Sequence, residues 1–150
     1  MQKLIEQKRR ALKKFLIRND EFNAEELEDL VYQGWDEFEI CGQSYRVLTD
    51  EEADKEVWDY IRESLWAFNP SFLSHYMPDG VNEKVITILQ QECEDCNDAL
   101  LGIVDAEGRF NDLVNDAIAS DGRGHYLSDY DGCEYEEIDN GEWFYIYRTN

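Results

Sequence analysis

Residues 133–148 read CEYEEIDNGEWFYIYR, and this stretch decides the fold. Asn140-Gly141 separates two runs rich in aromatic and β-branched residues. Asn-Gly is the pair best suited to a two-residue turn that needs positive φ at both positions, so a β-hairpin is expected over Cys133–Ile138 and Trp143–Arg148. With His125–Tyr130 read as a further strand and Asp131-Gly132 as its turn, the C-terminal region becomes a hairpin or meander over 125–148. A second alternation lies upstream, where Trp35–Cys41 and Ser44–Leu48 flank Gly42-Gln43 and predict another hairpin near 35–48.

Elsewhere the period is helical. From about residue 2 to 18, Leu4, Ala11, Leu12, Phe15 and Leu16 share one side, with Arg9, Arg10, Lys13, Lys14 and Arg18 around the rest. Asn23 with Glu26 forms a capping box for a short helix that would bury Leu27, Leu30 and Val31 and end at Gly34. Thr49 with Glu52 is a second capping box, opening a helix to about Phe68 that Asn69-Pro70 closes. Ser71–Tyr76 reads as a turn or short helix, 82–104 as helix with a bend near Cys93 and Cys96, and Arg109–Ala119 as another helix. Strands at both ends and helices between give an α+β class, amphipathic helices on a small antiparallel sheet. Length and the absence of a linker favour one acidic domain over 1–150, carrying a basic N-terminal helix.

Charge narrows the functions open to such a chain. There are 35 acidic residues against 14 basic, a net charge of -21. With 43% apolar and 13% aromatic residues, the chain is too hydrophobic to be a disordered acidic tail. Direct binding of nucleic acid or of an anionic membrane is disfavoured, because phosphates are repelled. The charge is also uneven. Residues 1–18 hold seven basic groups against Glu6 alone, +6, and the remaining seven basic and 34 acidic groups make -27. Lysines interrupt the apolar run in 12–17, so no secretory signal is expected. No apolar run long enough to cross a membrane occurs either, and a cytoplasmic location is expected. Cys41, Cys93, Cys96 and Cys133 fit reduced thiols there.

On the 50–68 helix, Glu52, Glu56, Asp59 and Glu63 fall within about 60° of one another at about 100° per residue, forming an acidic stripe about 16 Å long. A DNA strand places a phosphate about every 3.4 Å, so several acidic elements must combine to imitate a duplex. Candidates are Glu25, Glu28 and Asp29; Glu92, Glu94, Asp95 and Asp98; Asp112 and Asp116; and the acids of 129–137. A single acidic helix face is ordinarily just solvated. Here few lysines or arginines balance the acids, so folding works against self-repulsion. A basic partner surface accounts for that; a high-salt cytoplasm would as well, by screening.

Chemistry offers little else. Cys93-x-x-Cys96 needs two further ligands to hold zinc, from Cys41, Cys133, His75 or His125, and its acidic flanks suit a helix better than a metal knuckle. The Asp129–Glu136 acids lack the ligand order of a calcium loop, and a hairpin turn is the simpler reading. His75 and His125 are the only histidines, and no nucleophile motif or phosphate loop accompanies them. No catalytic residue, metal or cofactor is expected.

Arg123-Gly-His-Tyr-Leu-Ser-Asp-Tyr-Asp-Gly132 and the ending Tyr145-Ile-Tyr-Arg-Thr-Asn150 resemble stretches of phage proteins. In composition the chain resembles the small, very acidic proteins of phages and mobile elements that act as DNA mimics against restriction or CRISPR systems. That resemblance implies an inhibitor of the antirestriction or anti-CRISPR kind, acting in the host cytoplasm on a nucleic-acid-binding defence protein with a basic groove. The partner-binding residues would be Glu52, Glu56, Asp59, Glu63, Glu25, Asp29, Asp95, Asp98, Asp112 and Asp116. The alternatives are an acidic adaptor or chaperone-like module, then a halophilic or metal-binding domain. The basic N-terminal helix is expected to pack on its own acidic body or across a homodimer, more than on nucleic acid or a membrane.

Overall fold

Three two-residue turns organise the sheet. In the computed structural model, which describes residues 1–150, each turn places both central residues at positive φ: Trp35-Asp36 (53° and 62°), Cys41-Gly42 (49° and 79°) and Asn140-Gly141 (51° and 81°). The first joins β1 (Val31–Gly34) to β2 (Glu37–Ile40), the second joins β2 to β3 (Gln43–Leu48), and the third joins β4 (Tyr135–Asp139) to β5 (Glu142–Arg148). Both hairpins read from the sequence are present, but the first turns at Cys41-Gly42 rather than Gly42-Gln43, and Trp35, expected in its first strand, lies in the turn before β2. The hairpins fuse through β3 and β5, with Tyr45 opposite Arg148 and Leu48 opposite Tyr145. The result is an antiparallel sheet in the order β1-β2-β3-β5-β4.

One face of the sheet carries Phe38, Ile40, Tyr45, Val47, Phe144 and Ile146, all buried. Against it lies α1 (Gln2–Arg18), whose Ala11, Leu12, Phe15 and Leu16 complete this core. The helical spacing in 2–18 and the alternation in the strands thus meet on a shared apolar surface. The class is α+β.

Four helices follow α2 (Asp50–Glu63) along the middle of the chain: α3 (Pro70–Ser74), α4 (Glu83–Gln90), α5 (Asn97–Ala106) and α6 (Phe110–Asp121). The bend anticipated near the cysteines is a 3-10 turn, Cys93–Cys96, between α4 and α5. The chain divides into two compact units, one of Met1–Glu56 with Gly122–Asn150 and one of Val57–Asp121.

Three local readings need correction. The helix opened by Asn23 is a single 3-10 turn, Glu26–Asp29, although its capping box forms reciprocally at 2.8 and 2.9 Å. Val31 is therefore not a buried helix residue but an exposed one in β1. The helix begun at Thr49 stops at Glu63 rather than Phe68; a 3-10 turn, Leu65–Ala67, follows, and Asn69 caps the next helix by accepting from Ser71 N–H at 2.8 Å. His125–Tyr130 is not a strand. Gly122, at φ 79°, turns the chain into α7 (Arg123–Leu127), which is held by a buried arginine rather than by sheet pairing.

Candidate protein-binding surface

Five of the seven cations of α1, Lys8, Arg9, Arg10, Lys14 and Arg18, are engaged inside their own unit. Lys8, 1% exposed, bridges Asp36 at 2.7 Å and Glu52 at 2.6 Å. Arg10 and Lys14 converge on the buried Asp139 at 3.0 and 2.9 Å, and Arg18 lies 2.7 Å from the buried Glu137 Oε2 without hydrogen-bond alignment. Lys14 and Arg18 also donate to the carbonyls of Ile138 and Glu136, on the strand at the edge of the sheet. The basic helix thus neutralises carboxylates and covers exposed backbone acceptors of β4, the device by which sheets protect an edge. Asp139 is held below its ordinary pKa by its bonds to Arg10 and Lys14, which outweigh burial. The expectation that α1 packs on its own acidic body agrees with this docking.

Arg123 organises the C-terminal stretch. Its guanidinium, 9% exposed, reaches Asp50 and Asp54 at 2.9 Å and Glu134 at 2.7 Å, and lies over the Tyr145 ring at 4.5 Å. Tyr147, fully buried, donates its hydroxyl to the same Glu134. Burial works to lower the Arg123 pKa, but Glu134, Tyr147 and Asp50 overcome it and raise the value. Gly124 has no room for a side chain: a Cβ there would sit 2.5 Å from the Cys133 carbonyl carbon and 2.6 Å from Gly132 O. Ser128 Oγ donates to Arg148 O at 2.7 Å, and Asp131 accepts from Cys133 N–H at 2.9 Å and from Tyr135 Oη at 2.7 Å. Each polar residue of this stretch named here therefore has an architectural partner. The Asp129–Glu136 acids do not form a hairpin turn: Asp129 and Asp131 lie in a bend after α7, Glu134 pairs with Arg123, and Glu136 is on β4; His125 is exposed with its ring edge-on to Tyr126.

The α2 stripe is divided. Glu52 is half-buried, and although burial works to raise its pKa, Lys8 and Thr49 hold it low. Glu56 pairs with Arg46 at 3.2 Å, Asp59 is partnered, and Glu63 is exposed. Glu25 and Asp29 are exposed beside the 3-10 turn at Glu26–Asp29.

The 57–121 unit contrasts with this. It has 13 acidic residues and only Arg62, Lys84 and Arg109 as bases, a net charge of -10. Arg62 pairs with Asp105 at 3.0 Å while stacking over Trp58, and Arg109 lies over Tyr76 and 3.9 Å from Asp112. Tyr76 donates to Asp116, and burial with that bond pushes its hydroxyl up to about 12. Glu92, Glu94, Asp95 and Asp98 are all exposed on the Cys93–Cys96 turn and the start of α5, with no cation at ion-pair distance. In the sequence these four are indistinguishable from the paired acids of α2, because pairing depends on contacts distant in sequence.

No group of three or more His, Cys, Asp or Glu side chains is arranged to hold a metal, and no helix is long and apolar enough to cross a membrane. Cys96 is buried within its turn, and burial raises its thiol pKa; Cys93 is exposed. His75 is exposed, its carbonyl accepting from Arg109. Compared with protein-family models, curated proteins and solved structures, the chain matches none.

Proposed function

We propose that this protein is an inhibitor that occupies a basic, nucleic-acid-binding surface of a defence protein, presenting carboxylates where phosphates would bind. The observation that carries this reading is the unpaired acidic surface of 57–121, centred on Glu92, Glu94, Asp95 and Asp98, with Glu63 as a further exposed acid of the same unit and Asp112 exposed beside Arg109. Leaving such charge uncompensated costs folding stability, and a cationic partner returns it by releasing the same counterions that a phosphate backbone would. Glu52 and Glu56 are spent on internal cations and are not part of the proposed surface.

The test is capture and competition. The purified chain, incubated with extract from cells that carry restriction or CRISPR defences, should retain a nucleic-acid-binding protein, and excess duplex DNA should displace it. Neutralising all four acids of 92–98 to Gln or Asn should abolish retention. A partner held equally well with and without DNA would reject mimicry in favour of an adaptor. Cytoplasmic action and a phage source belong to the same proposal.

A further inference from the structure

The two edges of the sheet are treated differently. β4 has its outward carbonyls at Glu136 and Ile138 covered by Arg18 and Lys14, whereas no strand or side chain pairs with the outer edge of β1 beyond Arg9, which caps Leu30 O just ahead of it at 2.9 Å. At the end of this open edge stands Trp35, 91% exposed. Its φ of 53° is a conformation that bulky residues avoid and that Asn or Gly would adopt at little cost. Neither packing nor turn chemistry explains a tryptophan there. Strained, exposed aromatic residues are typical of binding positions. Val31, at the other end of the strand, is also exposed.

We propose that β1 is a strand-addition site for an extended segment of a partner protein that carries lysine or arginine, with Trp35 as its apolar anchor. Main-chain pairing to an open edge supplies affinity in this mode of recognition, and flanking side chains supply selectivity. The flanks here are acidic: Glu25, Glu28 and Asp29 lie just before β1 and Glu37 and Glu39 on β2, none bridged to a cation. A second copy of the chain would bring the same acids against each other. This surface is built from residues of the Met1–Glu56 segment alone, so its test is separate from that of the 57–121 acids.

The experiment uses the full chain and synthetic nonapeptides that alternate lysine with valine, compared with glutamate–valine counterparts and with versions N-methylated at alternate amides. Trp35→Gly is the matching variant, because glycine suits the turn and should leave thermal stability equal or higher. We expect the lysine peptide to slow amide exchange within residues 31–35, the glutamate and N-methylated peptides to bind at least about tenfold more weakly, and Trp35→Gly to weaken the lysine peptide about tenfold or more. Three results would overturn the proposal. The first is equal binding of lysine and glutamate peptides. The second is lysine-peptide binding that leaves exchange at 31–35 unchanged. The third is a Trp35-dependent dimer in sedimentation equilibrium, which would make a second copy the occupant.

Discussion

Val57–Asp121 and the unit formed by the rest of the chain carry nearly the same net charge, -10 against -11, yet they handle it in opposite ways. The larger unit has 11 basic residues for 22 acidic ones and buries several of them in contact: Lys8 with Asp36 and Glu52, Arg10 and Lys14 with Asp139, Arg123 with three carboxylates. The smaller unit has three bases for 13 acids and leaves most carboxylates in water. Net charge therefore says little about what a surface offers a partner. Buried, partnered ions are coupled to folding, whereas exposed unpaired ones contribute to long-range attraction and cost stability only through mutual repulsion.

That contrast makes predictions in order of size. Gly124→Ala should be the most damaging, because the new methyl meets backbone rather than a movable side chain; thermal unfolding should show a loss of about 3 kcal/mol or more. Arg123→Met should cost about 3 kcal/mol, the lower end of what breaking buried ion pairs costs, because Asp50 and Asp54 remain largely wet. If this variant were neutral, the larger unit would not depend on its ion pairs and the comparison would fail.

Acid should act on the same unit. Asp139 and Glu52 have lowered pKa values when folded, so each adds stability that is present above the ordinary carboxylate range and is lost as pH falls through its folded value. Unfolding measured between about pH 7 and pH 3 should therefore show falling stability, with a shallower slope in Asp139→Asn. The smallest effect belongs to the other unit. Neutralising Glu92, Glu94, Asp95 and Asp98 together should shift stability by no more than about 0.5 kcal/mol, in either direction, while removing partner capture.

Local signals were legible where a feature is decided within a few residues. Asn140-Gly141 marked its hairpin, and the capping boxes at Asn23 and Thr49 form as read. What escaped was decided at a distance. His125–Tyr130 has strand-like composition, but Arg123 reaches Asp50 across 73 positions of sequence and fixes a helical turn instead. The α2 stripe looked uniform because nothing local reveals that Lys8 takes Glu52 and Arg46 takes Glu56. Trp35 escaped for the opposite reason. An aromatic residue beside alternating apolar positions reads as strand, and only the backbone reveals it as the first residue of a turn, exposed to solvent.

The docking of α1 on β4 also sets an order of events during synthesis. Lys8 finds Asp36 and Glu52, and the apolar side of α1 finds β2 and β3, soon after the helix is made, but Arg10, Lys14 and Arg18 must wait for β4, more than a hundred residues later, for their carboxylates. The 57–121 segment is contiguous and has all its residues long before that. As the chain leaves the ribosome, that segment is positioned to fold early, while Arg10, Lys14 and Arg18 of α1 still lack their partners on β4. A chain arrested before Tyr135 would therefore leave the outer cations of α1 without the carboxylates that hold them in the finished protein.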